Sequence, residues 1–195
     1  MNPFRTPASP RSGSRPHRPS RTRRARRATA VLAAGAVLVA VPAATGAGVA
    51  TAATCSTAWG SVAKTSAPMA TGRVTGVRAG RNTCFDRLVV DMAGRAPGYD
   101  VRYVTTVRAD GSGLPVPVSG GARLAVIARK GATSIPAMPA VGGFTTFRQV
   151  RWAGAFEGQT TLALGVRARL PFRVFTIYDA TTNRSRLVVD VAHTW

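Results

Sequence analysis

One pentapeptide occurs twice in the chain, as Arg87-Leu88-Val89-Val90-Asp91 and, 99 residues later, as Arg186-Leu187-Val188-Val189-Asp190. Each copy follows another short β-like run, Arg73-Val74-Thr75-Gly76-Val77 before the first and Arg173-Val174-Phe175-Thr176-Ile177 before the second, at an offset of 100. The echo is of strand-loop-strand units with one residue of slack between them. Three β-favouring apolar residues closed by a charge at each end suit a strand covered at least partly on both faces. Asp91 and Asp190 are expected to pair with Arg87 and Arg186 across strands. One unit cannot bury its own apolar face, so two units facing each other predict a compact sandwich of two sheets with an internal pseudo-repeat. Chance repetition in a β-rich chain is the competing account, and under either the pentapeptide speaks to architecture alone.

The rest of the chain agrees with an all-β class. Strand candidates fall at 73–78, 86–92, 99–107, 123–128, 147–152, 160–166, 172–179 and 186–192, separated by turn signals such as Asp110-Gly111-Ser112-Gly113 and Gly120-Gly121. Pro115 and Pro117 confine 114–118 to an edge or an irregular run. Residues 131–143, with two of their own prolines and no periodicity, are expected to form an exposed loop. No segment carries a convincing 3.6-residue period. At 195 residues this is one domain, 73–195, with appendages: a leader over 1–52 and a linker over 53–72.

The leader has three parts. Residues 1–27 are a basic, Pro- and Ser-rich tract without hydrophobic periodicity, read as disordered, and residues 1–50 hold nine arginines and no acid. The segment 28–52 is uncharged and apolar up to Pro42, then small-residue-rich, ending in Ala50-Thr51-Ala52 as a cleavage signal. Together these form a secretory signal peptide, so the domain is expected outside the cytoplasm. The pairs Arg23-Arg24 and Arg26-Arg27 suit twin-arginine export, yet the residues after them match that consensus poorly, and the Sec route stays open. An uncleaved membrane anchor is the alternative outcome, and the positive-inside rule leaves the domain outside in that case too. Cys55 lacks the Leu and the small residue expected before a lipidated cysteine. The basic tract is read as export signal, with no nucleic-acid partner.

Outside the cell two cysteines suggest one disulfide, Cys55 to Cys84, which would tie the loose segment around Trp59-Gly60 to the start of the first pentapeptide. Two buried or unpaired thiols are the alternative. Catalytic constellations are hard to assemble. The only histidine beyond the leader, His193, sits near the end of the chain and is expected to be simply exposed; no Cys/His metal cluster and no G-x-S-x-G elbow exist. Glu157, the only glutamate, lies beside Gly158 and reads as a turn residue, with a small hydrolase built on it as a remote alternative. The expectation is a non-enzymatic protein with no catalytic residues, no metal and no cofactor.

Binding has more behind it. Residues 51–195 hold 18 basic and 7 acidic side chains, a net of +11, which attracts polyanions. Only Lys64 and Lys130 among the 27 basic residues are lysine, a bias that fits a GC-rich genome and so does not by itself argue for guanidinium chemistry. Arg78, Arg81, Arg102, Arg148 and Arg151 stand with Tyr103 and Trp152 in strand or strand-end positions and are the candidate ligand-binding residues. Guanidinium forks and aromatic faces suit an anionic cell-wall polymer, peptidoglycan or teichoic-type. Solvated strand faces and core aromatics are the plainer account of any one of them. An exposed sheet edge that pairs with another envelope protein is a second route to partners.

Several segments, taken in order, carry a resemblance. They are Val77-Arg78-Ala79-Gly80-Arg81, Cys84-Phe85-Asp86 running into the first pentapeptide, Pro97-Gly98-Tyr99-Asp100-Val101-Arg102-Tyr103-Val104, and Asp110-Gly111-Ser112-Gly113 through Gly121-Ala122-Arg123-Leu124. Phe156-Glu157-Gly158 and Pro171-Phe172-Arg173-Val174-Phe175 complete the set. Over about 71–192 the chain resembles the AMIN-like domain of secreted actinobacterial proteins and lipoproteins, distantly similar to the AMIN domain of N-acetylmuramoyl-alanine amidases. The resemblance implies a small, symmetric-looking β-sandwich without catalytic activity that targets proteins to peptidoglycan or the envelope. No lipobox stands here in recognisable form, no attached amidase zinc domain is expected, and no ligand residues come with the resemblance.

Overall fold

The computed structural model describes Cys55 and residues 58–195; the leader 1–52, and with it the expected signal peptide, lies outside the described residues. Eleven strands follow one another: β1 (Lys64–Ser66), β2 (Val74–Arg81), β3 (Phe85–Ala93), β4 (Tyr99–Val104), β5 (Val107–Arg108), β6 (Pro115–Val116), β7 (Ala122–Ala128), β8 (Phe147–Phe156), β9 (Gln159–Val166), β10 (Phe172–Asp179) and β11 (Arg184–Ala192). They form a five-stranded sheet in the order β1-β4-β7-β9-β8, a four-stranded sheet in the order β10-β11-β3-β2 and the short ribbon β5-β6, all antiparallel. The stretch expected as linker supplies β1, which pairs with β4 through Lys64, Thr65 and Ser66.

The sandwich is present, but the two pentapeptides do not face each other across it. They lie side by side at the centre of the four-stranded sheet, with Leu187 opposite Val90, Val188 opposite Val89 and Val189 opposite Leu88. Two identical R-L-V-V-D runs paired antiparallel about their middle residues must set Arg against Asp at both ends. Arg186 accordingly stands opposite Asp91, and Asp190 opposite Arg87. The upstream runs, β2 and β10, flank this pair symmetrically. Four of the five strands of the covering layer come from the residues between the two units, and β1 precedes them; each unit's exposed ladder groups are satisfied by the other, and only its apolar face is left to bury.

That face carries Leu88, Val90 and Met92 with Leu187, Val189 and Val191, packed against Val101, Leu124, Val126, Leu162, Leu164 and Phe147 of the five-stranded sheet. Val89 and Val188, on the opposite face, are buried as well. The disulfide joins Cys55 to Cys84, and the chain next to it is drawn in: Trp59 meets Phe85 edge-on at 5.7 Å and the Phe172 N–H donates to the Gly60 carbonyl. Closing a loop of this length stabilises by roughly 3–4 kcal/mol on the chain-entropy account.

His193 differs from the expectation. Its side chain is 14% exposed, lodged with Nδ1 3.1 Å from the Thr83 carbonyl and Nε2 3.2 Å from Asp86 Oδ1. The pairing of Ala192 with Phe85 brings the residue after β11 beside the start of β3, which is not visible in a linear sequence. Asp86 is fully buried, and its Oδ2 accepts from the N–H groups of Thr146 (2.6 Å) and Phe147 (2.9 Å) where β8 begins. A second buried polar group, Lys130, donates from Nζ to the carbonyls of Ala93 (2.8 Å) and Arg95 (2.5 Å). Burial lowers its pKa.

The ribbon β5-β6 closes over the outer face of the five-stranded sheet, burying Val107 and Val118 against Ala125, Ala153 and Ala163. Its close approach needs Gly165, where a Cβ would lie 1.8 Å from the Ser119 carbonyl. Asp110 anchors it: Oδ1 accepts from Thr161 Oγ1 at 2.9 Å, while Oδ2 is buried without a hydrogen-bond partner. Burial raises this carboxyl above its ordinary 3.8, the bond from Thr161 opposing it. A carboxyl with a raised folded-state pKa favours folding fully below its ordinary value and withdraws that contribution as pH climbs through the raised one.

Two outcomes follow for stability. Asp86→Ala strands two buried N–H groups and lowers the unfolding free energy by about 3 kcal/mol in urea titration, with Asp86→Asn, which keeps one acceptor, costing less. Asp110→Asn raises the thermal midpoint at neutral pH, and the gap from wild type closes as pH falls toward about 4.

Candidate functional site

The outer face of the four-stranded sheet is a lattice of guanidinium groups. Period-2 alternation along β10 and β11 sends Arg173, Arg184 and Arg186 to this side, joined by Arg87 from β3 and Arg78 from β2. One cross-strand row reads Arg173, Asp190, Arg87. Asp190 is fully buried there, accepting from Arg87 Nε at 2.6 Å and Nη2 at 2.8 Å and from Arg173 Nε at 2.8 Å. Two guanidinium groups on one carboxylate leave a positive charge over, while the buried acid is fully partnered. The hydrogen bonds that Arg87 donates to Asp190 raise the Arg87 pKa further above its ordinary value against the opposing effect of burial.

Aromatic rings bracket the row. Arg87 lies 5.1 Å from the Phe85 ring centre and 5.7 Å from that of Phe175; Arg173 lies 4.5 Å from Trp59 and 5.3 Å from Phe85. Such stacking holds a guanidinium flat while its edge stays wet. The Arg87 and Arg173 side chains keep 33% and 42% of their surface exposed.

Two rows away, Asp91 takes Arg78 in a two-pronged bond (Nε 2.7 Å, Nη2 3.1 Å), with Arg186 Nε at 3.7 Å. Donating to Asp91 raises the Arg78 pKa. A cleft of about 400 Å³ opens here, lined by Arg78, Arg184 and Arg186 with Thr75, Gly76, Asp91, Met92 and Ser185. Two guanidinium groups on the Asp91 carboxylate, with Arg184 as a third in the lining, leave surplus positive charge that suits an incoming anion.

The seven sequence candidates are spread over the molecule, and only Arg78 belongs to this face. Arg81 and Arg148 meet at the loop before β8: Arg81 donates to the Gly143 carbonyl and lies 5.9 Å from the Phe144 ring, and Arg148 donates to the carbonyls of Phe144, Thr145 and Phe147. Arg102 and Arg151 lie on the outer face of the five-stranded sheet, the first bound to Asp100 and the second to the Pro117 carbonyl. Trp152 turns the other way and packs against the main core. Tyr103 is half-buried, its hydroxyl donating to the Leu170 carbonyl and accepting from the Leu170 N–H, and burial raises its pKa. With Arg123 and Arg169 it lines a shallow recess of about 360 Å³.

Arg87, Arg173, Arg184 and Arg186 were not among those candidates, although the alternation Arg184-Ser185-Arg186-Leu187 carries the signal that could have placed two of them on one face. Glu157 occupies the two-residue turn between β8 and β9 at φ 48°, with Gly158 at φ 77°, and is exposed. No group of three or more metal-ligating side chains occurs among the described residues.

Also among the described residues, no helix is long and apolar enough to cross a membrane. No curated protein and no solved structure matches the chain. A family model for the AMIN-like domain matches residues 72–193, which takes in both pentapeptides and every strand from β2 to β11. The chain therefore belongs to the AMIN-like domain family, a family of extracytoplasmic cell-envelope modules.

Proposed function

We propose that this protein is an exported, non-catalytic envelope module that holds an anionic wall polymer, peptidoglycan or a teichoic-type chain, through its arginines. The leader 1–52 delivers it, and 73–195 is the working unit. The observation that carries the reading is the cleft of Arg78, Arg184 and Arg186 around Asp91, on a chain whose residues 51–195 have a net charge of +11. Carboxylates of wall peptides and phosphates of teichoic chains offer paired oxygens that match the guanidinium fork. An incoming anion would share Arg78 and Arg186 with Asp91 without stripping the carboxylate bare, because both stay partly exposed. Arg81 with Arg148, Arg102, Arg151 and Tyr103 are proposed as further contacts along a long polymer, weaker one by one because each arginine already spends hydrogen bonds on the protein or on Asp100. A repeating ligand recovers in number what each contact lacks in strength.

Co-sedimentation with purified sacculi is the test, with one arm stripped of teichoic polymer. Binding is expected to fall steeply as salt rises, and Arg78→Gln with Arg186→Gln is expected to weaken it about tenfold or more while the circular dichroism spectrum stays unchanged. Binding that ignores both salt and the double substitution would sink the proposal. Loss on stripping assigns the ligand to the teichoic fraction, and retention assigns it to peptidoglycan.

A further inference from the structure

Unpaired sheet edges invite association, and most edges here are blunted. β1 is three residues long. β2 breaks register between Val74 and Gly76, and β8 does so twice, between Phe147 and Gln149 and between Trp152 and Gly154. β8 also folds Arg148 and Arg151 onto nearby carbonyls. β10 has none of these devices. It runs eight residues in unbroken register, contains no Lys, Pro or Gly, and leaves Ile177 41% and Tyr178 39% exposed.

The outward groups of β10 can be assigned. The Phe172 N–H leaves the sheet for the Gly60 carbonyl, so by alternation Val174, Thr176 and Tyr178 also turn their main-chain groups to the free side. The Val174 carbonyl accepts a long 3.4 Å bond from Tyr99 Oη, and no other segment among the described residues meets the outward groups of Thr176 or Tyr178.

We infer that β10 pairs antiparallel with β10 of a second copy of this chain, about a two-fold axis through Thr176. This register sets Arg173 opposite Asp179, Val174 opposite Tyr178 and Phe175 opposite Ile177, so the charges complement each other twice. Moving the axis to Phe175 sets Arg173 against Ile177, and moving it to Ile177 sets Phe175 against Asp179; neither matches the charges. Both charged groups are ready. Arg173 commits its Nε to Asp190 and stays 42% exposed, and Asp179 is held ionised by hydrogen bonds from Thr182 and Thr181. The outward main-chain groups of Val174, Thr176 and Tyr178 are those that this register bonds to Tyr178, Thr176 and Val174 of the other copy. Two four-stranded sheets become one of eight, and the two arginine faces become one surface. The interface is smaller than that of a stable dimer, so association is weak and concentration-dependent. The inference stands independently of the polymer reading.

Sedimentation equilibrium on the full chain is expected to reveal a reversible dimer. Thr176→Pro removes an outward N–H and leaves the bonds to β11 intact, so it is expected to weaken association about tenfold or more at an unchanged unfolding midpoint. Asp179→Lys weakens it as well. A directly opposed hydrogen-bonded pair lies about 5.5 Å apart in Cα, within disulfide reach, so Thr176→Cys is expected to give a covalent dimer on mild oxidation where Thr75→Cys, on the β2 edge, does not. A monomer at all concentrations, a dimer indifferent to Thr176→Pro, or cross-linking no faster at 176 than at 75 would each overturn the inference.

Discussion

Everything in this domain is arranged around the antiparallel pairing of β3 with β11. Each strand offers the other an Arg for its Asp and a Leu-Val-Val run for its own, so one register satisfies both the apolar middle and the charged ends. A slip of one residue would turn Leu88, Val90, Leu187 and Val189 out of the core and part both ion pairs at once. The four leucine and valine side chains are at most 1% exposed, and each contributes on the order of 1.5–3 kcal/mol by leaving water. The charged ends serve specificity more than stability, since a buried carboxylate such as Asp190 must recover its lost hydration from Arg87 and Arg173 before it contributes anything.

That need for recovery also makes the outer face what it is. To partner the buried Asp190, the fold brings in two guanidinium groups and stacks them on Phe85, Phe175 and Trp59, and the surplus positive charge is left facing water. The disulfide has a part in this, because it holds the segment bearing Trp59 against the row. The arginines that hold Asp190 thus also give the outer face its sign, beside the arginines of the proposed cleft. Lys130 is the instructive exception in a chain that has arginine at nearly every basic position. Between the carbonyls of Ala93 and Arg95 there is room for a compact ammonium with three rotatable donors, and a planar guanidinium would not suit that shape.

Strand positions were the most legible part. Alternation and turn residues marked eight strands that the fold contains, and the resemblance to the AMIN-like family followed from short ordered motifs. The short pieces β1 and β5-β6 were harder, since two or three residues carry no periodicity and their pairing is decided by what lies beside them. His193 was misjudged for a related reason: its surroundings are set by the register of β11 on β3, which places it against Asp86. Of the candidate arginines, chemistry alone could name the residue type but not the face. Arg78 and Arg102 look alike in the chain and end on opposite sides of the sandwich.

The order of residues alone was enough to read the domain as all-β, its two echoing units as related, Cys55 as a partner for Cys84, and the excess charge as positive. These are local or compositional properties, readable from spacing and residue chemistry. It took the three-dimensional arrangement to set the two units side by side, to bring Arg78, Arg184 and Arg186 into one cleft beside Asp91, and to leave β10 as a long unblunted edge among the described residues. Each of those depends on which strand neighbours which, and strand order is settled by long-range burial and hydrogen bonding between segments up to about a hundred residues apart.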